Sequence, residues 1–215
     1  MDRSRIGIVI PALNEAATIA AVVSGVLPYG LPLVVDDGSS DNTAELALAA
    51  GARVKTHSIN AGYDAALNTG FALAAESGCE YILTVDADGQ HNPGILPQFI
   101  AALEGADLAL GVRDRRQRFA EHLFAWLSRP LWGISDPLCG LKGYRISLYR
   151  ELGHFDSYGS IGTELAVFAA RRKSKIVQLP VRTGDRAGVP RFGRRFRANL
   201  LILRAMLLAF YQRDT

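Results

Sequence analysis

The chain has 215 residues, 49% of them hydrophobic and 21% charged, which fits one globular domain with a sizeable core and excludes disorder, collagen and coiled coil. Two cysteines, Cys79 and Cys139, are too few for a disulfide framework and lack metal-ligand spacing, so a reducing cytosol is expected. The net charge of +3 hides an uneven distribution: 4 Lys/Arg against 13 Asp/Glu in residues 1–110, 8 against 6 in 111–170, and 12 against 2 in 171–215.

The N-terminus is basic, but the apolar run behind it stops at Pro11 and meets Asn14 and Glu15, which is not the pattern of a signal peptide. Residues 6–10 read as a buried strand. Asn14 is the expected N-cap of a helix that reaches Val26 and ends at Pro28 and Gly30. Residues 33–35 form the second strand, and Asp41 or Thr43 starts an alanine-rich helix stopped by Gly51. A weaker strand at 53–57, a helix at 61–77, a strand at 81–85, a helix at 93–103 and a strand at 107–112 follow. Beyond Asp114 come an amphipathic helix at 119–132, a Gly-rich connection at 136–145, a helix at 163–172 and a late strand at 176–181. The chain closes with a loop at 183–194 rich in Gly, Pro and Arg, then an apolar helix at 198–211 broken by Arg204.

Strands that alternate with helices and are nearly continuous in apolar residues predict an α/β fold, a mainly parallel sheet covered on both faces. Ligands bind such sheets outside the carboxyl ends of the strands. The chain places Asn14 and Glu15, Asp36 and Asp37, Asp86 and Asp88, and Arg113 there.

Asp86-Ala-Asp-Gly-Gln90 is the sharpest element. Two carboxylates that point the same way repel each other and call for a cation, and oxygen ligands suit a hard ion such as Mg²⁺ or Mn²⁺ shared with a diphosphate. An EF-hand would need Gly and Glu where His91 and Pro97 stand. Asp37, at a strand end, is placed to accept from a ribose or base edge, whereas Asp41 reads as a cap. The chain has no G-x-G-x-x-G after its first strand, no P-loop, no zinc-binding histidine pair and no G-x-S-x-G elbow. His57 and His154 are expected to be incidental, and Trp126 and Trp132 to be core residues.

Taken in order, Pro11-x-x-Asn-Glu15, Val35-Asp-Asp-Gly-Ser39, Asn60-x-Gly62 and Asp86-Ala-Asp-Gly-Gln90-His resemble family-2 inverting glycosyltransferases of the Rossmann-like GT-A fold. Gly111-Val-Arg113, Asp136-x-x-Cys-Gly140 and Arg186-x-Gly188 with Arg191 are similar to the dolichyl-phosphate mannosyltransferase and bacterial polyprenyl-phosphate hexosyltransferase branch. The likeness covers about residues 5–195.

The resemblance implies a single domain, with a nucleotide-sugar half at 1–112, an acceptor half at 113–194 and a basic, apolar C-terminal helix at 195–215. Pro11, Leu13, Glu15, Val35, Asp37 and Ala87 would hold the nucleotide, and Arg186 and Arg191 would close a loop over the diphosphate. Asp86, Asp88 and Gln90 would bind the metal, while Arg113, Arg118 and His122 would face the acceptor phosphate. Asp136 is the candidate base should the acceptor be a hydroxyl. The chain departs from the family pattern at Leu13, Tyr63-Asp64, Val112, Leu141-Lys142 and Pro190-Arg191.

The expected reaction moves a hexose from a nucleotide diphosphate sugar, of GDP-mannose or UDP-glucose type, to a polyprenyl phosphate with inversion. A non-processive transferase acting on a saccharide hydroxyl and a catalytically silent sugar-nucleotide binder stay open. A nucleic-acid partner is disfavoured because the basic tail has few interleaved aromatics. The C-terminal helix is too short to span a bilayer. Preceded by Arg194, Arg195 and Arg197, it would lie on an anionic membrane surface on the cytoplasmic side, or else pack on the domain or on a second copy in a homodimer.

Overall fold

The computed structural model describes residues 1–115, 118–182 and 195–211, the last with side chains from residue 198 onward. In chain order the elements are β1 (Ile6–Ala12), α1 (Ile19–Val26), β2 (Leu31–Asp36), α2 (Thr43–Ala49), β3 (Arg53–Thr56), α3 (Tyr63–Glu76) and β4 (Tyr81–Thr84). Then follow α4 (Leu96–Gly105), β5 (Leu108–Arg113), α5 (Phe119–Trp132), β6 (Lys142–Arg145), α6 (Ile146–Leu152), α7 (Glu164–Arg171), β7 (Ile176–Val181) and α8 (Arg195–Tyr211).

The seven strands form one sheet in the order β3-β2-β1-β4-β6-β5-β7. Six run the same way, and β6 alone is antiparallel, inserted between β4 and β5. Successive side chains of a strand point to opposite faces, so a strand buried on both faces reads as a continuous apolar run. Ile8 and Ile10 join the core beneath α1 and α4, whereas Val9 joins the core beneath α3 and α7. Leu83 and Ile82 divide in the same way. Each such side chain contributes roughly 1.5–3 kcal/mol by burial. A third cluster, Ala120 and Phe124 against Ile202, Met206 and Ala209, joins α5 to α8.

The parallel α/β class is as expected from the sequence, but four local expectations fail. Residues 142–145 are a strand, not a connection. Lys142-Gly-Tyr-Arg145 has no apolar run, yet Gly143 lets the strand slot in where a Cβ would meet Leu103 at 2.9 Å and Leu83 at 3.0 Å. Tyr144 then buries its ring against Phe71, with centroids 5.5 Å apart.

Asn14 is not a helix cap. It sits at φ +53, its Oδ1 accepts from the Ser40 N–H at 2.8 Å, and α1 starts only at Ile19. Its amide is spent on tying the β1 and β2 loops together. Trp126 is 72% exposed rather than core, although Trp132 does pack, stacked on Phe210 at 5.1 Å. The strand before the Asp86 turn ends at Thr84, so Ala87 and Asp88 lie in a turn and the strand alternation does not reach them.

A candidate nucleotide-sugar and phosphate site at the strand ends

The carboxyl ends of β1, β2, β4 and β5 lie on the same edge of the sheet, and each brings one group of the expected residues. After β1, Leu13 is half-buried and Glu15 is buried; the Glu15 N–H donates to Thr43 Oγ1 at 2.9 Å. The Thr18 hydroxyl donates to the Ala87 carbonyl at 2.7 Å and lies 3.3 Å from Glu15 Oε2, which binds the first loop to the Asp86 turn. Pro11 and Val35 are register partners in the sheet. Val35 and Ala87 have no accessible surface, so they shape the floor of the site rather than its lining.

After β2, Asp37 is buried and heavily engaged. The Ala61 and Gly62 N–H groups donate to its two oxygens at 2.9 and 2.8 Å, and His57 Nδ1 lies 2.7 Å from Oδ1. A carboxylate offers about four acceptor positions, which leaves Asp37 about one for a ligand. His57 is therefore not incidental: it spans Asp37 and, through Nε2 at 2.9 Å, Thr69 of α3. Its place was hidden in the sequence because 20 residues separate it from Asp37. Asn42, not Asp41, holds the N-cap position of α2; Asp41, one residue earlier, accepts from the Thr43 N–H at 3.1 Å. His154 belongs to another loop, 3.0 Å from Glu164.

After β4, Asp86 is half-buried and Asp88 is 5% exposed. The Gln90 N–H donates to Asp88 Oδ1 at 3.1 Å, holding the turn around Gly89 at φ +73. Asp86 fits into a notch left by Gly140, where a Cβ would stand 2.1 Å from Oδ2. The Tyr63 hydroxyl donates to Asp86 Oδ1 at 3.4 Å. Among the described residues, no three His, Cys, Asp or Glu side chains converge as a closed metal site. Two carboxylates and an amide give an oxygen donor set that suits a hard divalent ion completing its shell with ligand oxygens.

Lys142, on β6, is 3% exposed and donates through Nζ to the Gly162 carbonyl. Burial pushes its pKa down to about 8, opposed by the negative charges of Asp136, Asp64 and Asp86. Neither Lys142 nor the Gly140 notch was legible in a Gly-rich stretch read as a connection.

After β5, Arg113 meets Asp136 fork to fork, Nε to Oδ2 at 2.8 Å and Nη2 to Oδ1 at 2.9 Å. Arg113 Nη2 also lies 3.6 Å from Glu121, which accepts from Arg118 Nη1 at 2.8 Å. Burial alone would lower the Arg113 pKa, but the hydrogen bonds and charge of Asp136, with Glu121 behind it, raise it instead. The guanidinium is thus permanently charged. Asp136, the candidate base for a hydroxyl acceptor, accepts from Arg113 through both its oxygens. The spacing of Arg118 and Glu121, three residues apart at a helix start, was the available signal for their pair. His122 is exposed on the first turn of α5. Arg186 and Arg191 lie outside the described residues.

An acidic turn after β4 and a pair of carboxylate-bound arginines at and after the end of β5 thus lie on the same edge of one sheet, with β6 between the two strands. Known proteins resemble the chain in sequence and in fold. The chain is 39% identical over 204 residues to polyprenol monophosphomannose synthase of Mycolicibacterium smegmatis, covering 83% of this chain and 77% of that protein. It is 31% identical over 194 residues to undecaprenyl-phosphate 4-deoxy-4-formamido-L-arabinose transferase of Yersinia enterocolitica, covering 80% of this chain and 58% of that one. Its fold matches the crystal structure of glucosyl-3-phosphoglycerate synthase from Mycobacterium tuberculosis in complex with Mn²⁺, UDP and glucosyl-3-phosphoglycerate. The TM-score is 0.77 at 26% identity, over 95% of this chain and 79% of that one. The sequence profile of glycosyl transferase family 2 matches residues 7–178, from β1 to β7 and across every strand end just described, and the chain belongs to that family.

Proposed function

We propose that the protein transfers a hexose from a nucleotide diphosphate sugar to a polyprenyl phosphate, inverting the anomeric carbon, with Mg²⁺ or Mn²⁺ held by Asp86 and Asp88 and flanked by Gln90. The observation that carries this reading is the placement of the Asp86 turn after β4 and the Arg113–Asp136 fork at the end of β5 on the same edge of one sheet. The relatives named for polyprenyl-phosphate chemistry and the Mn²⁺–UDP complex of the structural relative support it.

A divalent ion bound there would neutralise the charge that builds on the leaving diphosphate. The chain's own residues do the positioning. Glu15 and Asp37, fixed by Thr43, Ala61 and Gly62, frame the nucleoside together with half-buried Leu13, above buried Pro11 of β1. Arg186 and Arg191, which precede α8 in the chain, are assigned to the diphosphate from the sequence. Arg113 and Arg118, held by Asp136 and Glu121, orient the acceptor phosphate, with His122 beside them.

A phosphate monoester is largely dianionic near neutral pH, since its second pKa is about 6, so the nucleophile needs orientation more than a strong base. That accords with an Asp136 whose oxygens are both engaged by Arg113. Arg113 and Arg118 are the donors assigned to the acceptor phosphate, and the buried carboxylates paired with them hold both guanidiniums in place.

The test is a donor screen, GDP-mannose and UDP-glucose among them, with Mg²⁺ or Mn²⁺ and a short-chain polyprenyl phosphate, following lipid-linked sugar. 3-Phosphoglycerate serves as a parallel acceptor. Sugar appearing on the polyprenyl phosphate is the expected result. Transfer to 3-phosphoglycerate alone, or donor hydrolysis with no transfer, would overturn the reading.

A further inference from the structure

We propose that Tyr63, Asp64 and Lys142 form a positioning unit for Asp86: the two charged side chains clamp the backbone turn at Ile161 and Gly162, and that turn backs the Tyr63 ring, whose hydroxyl aims the Asp86 carboxylate. The unit deepens the proposed function, on whose assignment of Asp86 to the metal it depends. Tyr63 and Asp64 stand where the chain departs from the family pattern, so neither takes a role from the resemblance.

Lys142 stands in the middle of the sheet, register partner of Thr84 on β4 and Leu110 on β5. Gly143 faces Leu83 and Leu103, so strand alternation turns Lys142 and Tyr144 to the opposite face, under α3 and α7. There the buried Lys142 ammonium donates to the Gly162 carbonyl. Asp64, the second residue of α3, accepts from the Gly162 N–H at 2.7 Å and the Ile161 N–H at 3.1 Å. Both polar backbone groups of Gly162 are thus held by side chains of opposite charge, one from β6 and one from α3. One turn along α3, Asn68 accepts from the Phe155 and Asp156 N–H groups at 2.9 and 3.1 Å and donates to the Asp156 carbonyl at 2.7 Å. The helix grips the same segment at both ends.

The clamped turn is strained. Ile161 has φ +57 and Gly162 φ +69, and a β-branched side chain rarely adopts the left-handed region. Strain of this kind persists only where surrounding contacts over-determine it, and it collects at functional sites. A buried charge, for its part, adds little net stability over apolar packing. What the two achieve together is a turn fixed from two sides.

That turn runs against Tyr63: a Cβ at Gly162 would lie 3.5 Å from Tyr63 Cε1. The Tyr63 hydroxyl donates to Asp86 Oδ1 at 3.4 Å, while Oδ2 faces the Gly140 notch. A hydrogen bond near the upper limit of length is lost on a small displacement, so this one depends on what holds the ring. The Gly62 N–H donates to Asp37 Oδ2 at 2.8 Å, so Tyr63 is tied to Asp37 through its neighbour and to Asp86 through its hydroxyl. Groups behind a metal ligand fix its orientation and govern metal affinity. The charges of Asp64 and Asp86 also favour the Lys142 ammonium against burial, which links the clamp to the carboxylate it serves.

The experiment measures Mn²⁺ binding to the full chain, by electron paramagnetic resonance of the free ion, alone and with UDP or GDP. Tyr63→Phe keeps the ring and removes the hydroxyl; Asp64→Asn keeps the shape and removes the charge opposite Lys142. Each is expected to weaken Mn²⁺ binding by about fivefold or more. The double variant is expected to lose no more than about twofold beyond the worse single variant, because residues acting as one unit are not additive. Nucleotide binding in EDTA should be unchanged in Tyr63→Phe; an equal loss there would place the effect on the nucleotide site and overturn the proposal. Unchanged Mn²⁺ affinity in Tyr63→Phe would overturn it too, as would an Asp64→Asn protein with a lower thermal midpoint and wild-type Mn²⁺ affinity, since the turn would then be purely structural. Losses that add in full would show Tyr63 acting without the clamp, with the same consequence. Should Asp64→Asn not fold, Gly162→Ala takes its place in the cycle: a methyl at φ +69 disturbs the turn on the side of Tyr63 while Asp64 stays. Failure of the metal assignment reads differently: wild-type protein would then bind Mn²⁺ no better than Asp86→Ala, with or without nucleotide.

Discussion

Arg113 and Asp136 meet through two parallel hydrogen bonds, 2.8 and 2.9 Å, and the Arg113 main-chain N–H donates to the same carboxylate at 3.1 Å. In the proposed reaction Asp136 would therefore act as a positioning residue for Arg113. Asp136→Asn keeps the shape but removes the charge and one acceptor. The expected outcome is a fall of about 10²-fold in kcat/KM for the acceptor with donor KM nearly unchanged, measured by steady-state kinetics with each substrate varied. Asp136→Ala, which strands a buried guanidinium, should lower stability by about 3–5 kcal/mol in denaturant unfolding.

Asp88→Ala should remove metal binding and turnover together. Isothermal titration with Mn²⁺ and UDP is the check, and the proposed metal site predicts loss of the Mn²⁺-dependent component of UDP affinity. Full Mn²⁺-dependent activity in this variant would place the metal elsewhere.

Gly140→Ala tests the notch that receives Asp86. The added methyl would stand 2.1 Å from Oδ2 and 2.8 Å from Cγ, too close to coexist, so Asp86 must turn away. Mn²⁺ affinity should fall by roughly tenfold or more while the protein stays folded, because the clash is resolved by one half-buried side chain.

His57→Ala removes one partner of Asp37 while the Ala61 and Gly62 N–H groups remain. Asp37 becomes less firmly aimed. Donor KM should rise several-fold with kcat little changed, whereas an incidental histidine would leave both alone.

Asp64 gives a pH signature. Its carboxylate accepts from the Ile161 and Gly162 N–H groups at 3.1 and 2.7 Å, but burial and the charge of Asp156 push its pKa up from 3.8 to about 6. The folded state holds this proton more tightly than the unfolded state, so between these values folding binds a proton and stability falls as pH rises. Denaturant unfolding from pH 4 to pH 6 should show that decline, and Asp64→Asn should flatten it.

Much of this molecule was legible in its residues. The apolar runs at Ile6, Leu33, Tyr81 and Leu108 gave the parallel strands, because a strand covered on both faces leaves no polar alternation to misread. The polar residues that follow those runs marked the end of the sheet where ligands bind, and the ordered motifs marked the family.

Other features depend on residues far apart in the chain. Lys142-Gly-Tyr-Arg145 becomes a central strand only because β4 and β5 leave a gap that Gly143 can enter. The partner of Arg113 is 23 residues away, and that of Asp37 is 20 residues away, beyond any helix or strand period. The exposure of Trp126 depends on α8 taking the neighbouring side of α5, a contact across more than 70 residues of chain. Periodicity reports which side of an element is apolar; what covers that side, and which charges then meet, is settled by packing between distant segments.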